Sequence, residues 1–154
     1  MNFNNISMAQ QTLISEAVVL EQTFNASVEK VWKAITNRDD MAQWYFNMDE
    51  FEPEVGFKTQ FNVHHDGRDY LHIWKVVEVI PLKKISYEWR LWEYPGNSLL
   101  TMELEADGDK TKLKLTHEKL ETFKPAIYPD MARENFVAGW SHFIDTALKE
   151  FLEK

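Results

Sequence analysis

The chain has 154 residues, enough for a single domain that buries roughly 68–70% of its unfolded surface. It carries 25 acidic against 17 basic residues, a net charge of −8, which argues against nucleic-acid binding because phosphate neutralisation needs clustered cations. It has no cysteine, so disulfides, thiolate metal sites and cysteine catalysis are excluded, and a reducing, cytoplasmic setting is expected.

Residues 1–14 are polar and aperiodic and are expected as a flexible tail ahead of one domain over 15–154. They show no basic stretch leading into an apolar core, so no signal peptide is expected. No apolar run is long enough for a membrane span. Residues 16–24 alternate weakly and predict a first strand. Ser27 offers an N-cap for a short helix with Val28, Val31, Trp32 and Ile35 on one face. Asn37, Arg38 and Asp39 end it, and Asp39 is placed to cap a second short turn holding Met41 and Trp44. Pro53 and Gly56 mark a turn. Strands are then predicted over 57–64, 70–80, 84–92, 98–106 and 111–118, separated by HDGRD, IPLKK, YPGN and ADGDK.

One hairpin can be registered directly. If Leu104 faces Leu113, then Met102 faces Leu115 and Leu100 faces His117, while Glu105 opposes Lys112 and Glu103 opposes Lys114. Apolar meets apolar and each acid meets a base, pairings that contribute roughly 0.2–1 kcal/mol each. A slip by one residue would set charges against leucines.

The chain closes on a helix. Phe136, Trp140, Phe143, Ile144, Ala147, Leu148 and Phe151 form one stripe at helical spacing, with Glu134, Ser141, Asp145, Lys149, Glu150 and Glu153 opposite. Helices gathered on one face of an antiparallel sheet make an α+β domain, and the sheet must curve around the final helix to cover its stripe.

Ten Phe, six Trp and five Tyr leave two readings, an aromatic core or the walls of a pocket for an apolar ligand. Tyr87, Trp89 and Leu91 share the inward face of their strand. The polar tips of the first two need partners, either backbone groups or a ligand's carbonyl or hydroxyl. His117 alternates with Leu113 and Leu115, which allows a satisfied core histidine, a ligand contact or an acid–base group. Gly139, inside the last helix, suggests close approach of a strand, room for a ligand, or a kink. His64, His65 and His72 flank a turn with Asp66 and Asp69, but adjacent strand histidines point to opposite faces, so no metal site is expected. No nucleophile elbow, phosphate-cradling glycine loop or dinucleotide fingerprint is present, so no cofactor is expected.

The order of these motifs resembles a known family. Ala26, then Val31-Trp32-Lys33-Ala34-Ile35-Thr36, then Trp44-Tyr45, then Glu78, Pro81, Ile85, Tyr87 and Trp89 follow its pattern. So do Thr111-Lys112-Leu113-Lys114-Leu115-Thr116-His117 and the helix from Gly139-Trp140 to Glu153. The chain resembles the START-like helix-grip superfamily, also called SRPBCC or birch-pollen-allergen-like. Within it, the chain is similar to the branch named for the activator of the heat-shock-protein-90 ATPase. The resemblance implies a curved sheet around a long C-terminal helix, two short helices after strand 1, and a cavity for a small hydrophobic or aromatic ligand. The residues expected on that cavity's wall are Trp32, Trp44, Trp74, Tyr87 and Trp89, together with Met102, His117, Phe136, Trp140 and Phe143. The branch name implies a second role, contact with a heat-shock-protein-90-type chaperone. A third is a cyclase- or hydrolase-like activity with His117 or Tyr87 as acid or base. A homodimer is compatible with each.

Overall fold

The structure is a computed structural model that describes residues 17–154, so the expected tail over 1–14 and the first residues of the expected domain and strand lie outside it. Six strands form one antiparallel sheet: β1 (Val18–Phe24), β2 (Lys58–His65), β3 (Arg68–Ile80), β4 (Lys84–Leu91), β5 (Ser98–Asp107) and β6 (Lys110–Glu118). Their order is β1-β6-β5-β4-β3-β2, so the first strand returns to pair with the last. The β5–β6 register is the one the alternation predicts, with Leu104 opposite Leu113, Met102 opposite Leu115 and Glu103 opposite Lys114. In the β3–β4 pair the register shifts between Val76 and Glu78. A bulge of this kind bends and twists a sheet and favours the curvature the final helix requires.

The β1–β2 connection carries α1 (Val28–Thr36) and α2 (Arg38–Trp44). Ser27 caps α1, its hydroxyl accepting from the Lys30 N–H at 3.2 Å. Asn37, not Asp39, caps α2. Its extended backbone lets its side chain accept from the Asp40 N–H at 3.0 Å, while its own N–H closes α1 on the Lys33 carbonyl. Asp39 sits inside the first turn of α2 and pairs with Arg38.

After two short 3₁₀ turns, the chain ends in α3 (Arg133–Ser141), a π-helical segment (His142–Leu148) and α4 (Lys149–Glu153), wound as one helix. The line buried on the sheet is Trp140, Ile144, Leu148 and Leu152, each at most 3% exposed. Phe136, Phe143, Ala147 and Phe151, expected on that line, flank it half-buried. Steps of four residues drift by about 40° on a helix of 3.6 residues per turn. The π segment, bonded i→i+5, turns less per residue and offsets the drift, which brings Leu152 inward in place of Phe151. The helix end is tied down from α1, where the Lys30 ammonium donates to the Leu152 carbonyl at 2.8 Å. A cation there also favours the negative end of the helix dipole.

Candidate functional site

The space between the helix and the middle of the sheet is packed with rings. Trp74 lies 4.4 Å from Tyr87 and 5.1 Å from Trp89, centroid to centroid. Tyr45 and Phe46, which follow α2, complete the filling. Tyr45 stacks on Trp44 at 4.6 Å and meets Trp140 and Phe143 at 5.8 and 5.1 Å. Its hydroxyl bonds that of Tyr87 at 2.8 Å, and burial raises the pKa of both phenols. Trp44, Trp74, Tyr87, Met102, His117 and Trp140 are all buried in this packed interior. Phe143 sits half-buried at its edge, and Trp32 faces a separate surface hollow beside Lys33 and Phe51.

A cleft of about 520 Å³ opens at one end of the packed region. Of the ten expected wall residues, Trp89 and Phe136 line it. Leu91 and Met131 add apolar surface, and Gly139 and Ala138 form part of the helical side. A Cβ on Gly139 would meet nothing within 4 Å, so the glycine marks open space and no strand approaches it.

Two polar groups of wall residues have no partner among the described residues, and the first of them is fully buried. Trp89 is 5% exposed, and its indole N–H has no hydrogen-bond partner among the described residues. His72 donates from Nδ1 to the Tyr70 carbonyl at 3.0 Å, which leaves Nε2 as a bare acceptor. Burial lowers the His72 pKa to about 4, against a smaller opposing effect of that bond, so the ring is neutral.

Asp130 stands at the cleft's polar side. Its Oδ2 accepts from Tyr70 at 3.1 Å, from Arg68 at 3.2 Å, and from Tyr94. Burial would raise its pKa, but the bonds from Tyr94 and Tyr70 and the Arg68 charge prevail and hold it below the ordinary carboxylate value. Burial and Asp130 together push the Tyr94 phenol up. Tyr70, Asp130, Met131 and Asn135 were not among the expected wall residues. Tyr70 and Asp130 are sixty positions apart, and no periodicity in either segment marks their meeting.

His117 lies behind the cleft. Its Nδ1 accepts from the Trp140 indole at 3.0 Å, and its Nε2 lies 2.8 Å from the Ser98 hydroxyl. Burial, with a smaller effect of His72, lowers its pKa to about 3. Of the remaining three histidines, His64 lies on Asp69 at 2.8 Å, His65 on Asp66 at 3.4 Å, and the His142 ring is 5.8 Å from that of Phe143. No group of three metal-ligating side chains occurs among the described residues. No helix there is long and apolar enough to cross a membrane.

Comparison with solved structures places this geometry among known folds. Protein CV1439 from Chromobacterium violaceum superposes with a TM-score of 0.77 at 20% identity, over 91% of this chain and 99% of that one. Protein MLL2253 from Mesorhizobium loti gives 0.70 at 26% identity, over 89% and 96%. DynU16, from the dynemicin biosynthetic locus, gives 0.70 at 19% identity over 90% of this chain, which spans about half of that longer protein (48%). No curated protein matches the sequence. The family model described as Activator of Hsp90 ATPase homolog 1-like protein matches residues 25–153. The chain therefore belongs to the Activator of Hsp90 ATPase homolog 1-like family, a branch of the helix-grip (SRPBCC) superfamily.

Proposed function

We propose that the chain is a binding module that holds a small hydrophobic or aromatic ligand in the cleft between α3, the start of β3 and the end of β4. The observation that carries this is the cleft wall itself. It combines about 520 Å³ of space with a buried indole donor on Trp89 and a bare imidazole acceptor on His72. Ligand pockets of roughly 300–1,000 Å³ are typically apolar with a few fixed polar groups, and this wall matches that description. A cytoplasmic setting is part of the reading. Native mass spectrometry of freshly purified protein is expected to show a small-molecule adduct. Ala138→Trp, which adds bulk to the helical side of the cleft, is expected to remove it. Absence of any adduct, together with no binding of naphthylmethylamine, naphthylmethanol or methylnaphthalene, would end this reading.

The family match supports a second reading, contact with a heat-shock-protein-90-type chaperone. Its test is the chaperone's ATP turnover with and without the purified chain, where no stimulation counts against it.

A further inference from the structure

We infer that the cleft selects an aromatic ligand bearing a hydrogen-bond donor, an amine or a hydroxyl, and discriminates against the matching carboxylate. The inference rests on the binding-module reading and specifies which ligand chemistry the module takes.

The apolar part of the wall is Trp89, Leu91, Met131 and Phe136, which suits a planar ring. The polar part is rich in acceptors. His72 Nε2 is bare because its other nitrogen donates to Tyr70. At Asp130 the bonds from Tyr70, Arg68 and Tyr94 all end on Oδ2, and none reaches Oδ1. The Asp130 side chain is 30% exposed, so Oδ1 remains within reach of a bound molecule. Asp66, largely exposed and 3.4 Å from His65, adds a second carboxylate at the cleft's rim.

No lysine or arginine lines this cleft. Arg68, the cation beside it, lies outside the lining and spends Nη1 on Asp130 and on the Tyr94 hydroxyl at 3.1 Å. An incoming carboxylate would therefore meet two like charges, with no cation on the cleft wall itself. An ammonium would meet the opposite sign. A hydroxyl would donate to His72 Nε2 or Asp130 Oδ1.

The test uses the full chain and four matched probes: naphthylmethylamine, naphthylmethanol, naphthoic acid and methylnaphthalene. Tryptophan fluorescence follows binding. The amine and the alcohol are expected to bind at least about tenfold tighter than the acid, the scale on which juxtaposed like charges act. Asp130→Asn is expected to shrink the amine-to-acid ratio. Asp66→Asn, at an exposed turn, is expected to shrink it in part and keeps the test open if the Asp130 variant does not fold. An acid that binds as tightly as the amine overturns the inference and leaves the binding module standing. Methylnaphthalene binding as tightly as the amine and alcohol overturns the donor requirement. Failure of all four probes overturns the inference, and together with the absence of a co-purified adduct it overturns the binding module as well.

Discussion

The indole N–H of Trp140 donates to His117 Nδ1 at 3.0 Å, and this bond sets the tautomer of the buried histidine. An indole N–H can only donate, so Nδ1 is bare and the proton of the neutral ring sits on Nε2. That nitrogen faces the Ser98 hydroxyl at 2.8 Å, and Ser98 in turn donates to the Trp89 carbonyl at 2.7 Å. The chain of bonds runs in one direction, from the last helix through β6 and β5 to β4. A serine nucleophile needs a bare nitrogen facing its hydroxyl. Here the nitrogen that faces Ser98 carries the proton, so the pair works as a clamp between helix and sheet.

Removing one end of the clamp isolates its contribution. Trp140→Phe keeps an aromatic ring on the stripe but takes away the donor, leaving Nδ1 unsatisfied in a dry interior. The expected loss is about 1–3 kcal/mol. Urea denaturation should show it as a lower midpoint with an unchanged slope. A midpoint equal to that of the parent protein would mean the bond contributes nothing.

Acid should weaken the fold through its two buried histidines. His72 and His117 titrate in the fold at about 4 and about 3, below the ordinary 6.5. As pH falls, the unfolded chain therefore takes up these protons before the native state does. Stability is complete above about pH 6.5 and declines below it, levelling only where the folded rings protonate, with up to about 1.4 kcal/mol lost per pH unit for each histidine. Denaturation midpoints between about pH 7 and pH 5 measure the slope. His72→Phe, which keeps the stacking on Phe61, should make it shallower. A flat profile across that range would contradict the assignment of neutral buried rings.

Much of the architecture was legible because it is written in local patterns. The β5–β6 register follows from alternating leucines and acid–base pairs, and Ser27 reads as a cap on its own. The final helix was equally clear, but its buried line was not. A period of 3.6 places Phe151 inward, and only the π winding turns Leu152 there. The contents of the grip were the least legible part. Whether a ring lines a hollow or fills it depends on how side chains from several segments meet. Tyr45 and Phe46 close the middle of the space by contacts to β3, β4 and the final helix that no single segment encodes. What stays open is the end where Tyr70 and Asp130 meet.

Two glycines should respond to alanine with opposite signs. Gly96 has φ of 95°, and a Cβ there would lie 2.3 Å from the Thr122 carbonyl oxygen. Gly96→Ala is expected to cost at least about 1–2 kcal/mol from the backbone alone, with the clash added. Gly139 is helical and a Cβ there would meet open space. Gly139→Ala is expected to gain about 0.5–1 kcal/mol. Thermal melts of the two variants check both signs, and a destabilised Gly139→Ala would show that the helix needs the glycine for something besides its bare backbone.

The direction of the clamp's hydrogen bonds also predicts what Ser98 will not do. A serine activated by a histidine reacts with fluorophosphonate probes because the imidazole removes its proton as the oxygen attacks. Ser98 is 1% exposed, gives its proton to the Trp89 carbonyl, and faces an imidazole nitrogen that already bears one. Incubation with a fluorophosphonate should therefore leave the intact mass unchanged. Trp140→Phe strengthens the test, because it frees Nδ1 to take the proton and Nε2 to become bare. If the parent protein acquires the probe's mass and Ser98→Ala does not, the proton sits on Nδ1 and the Trp140 indole does not donate to His117.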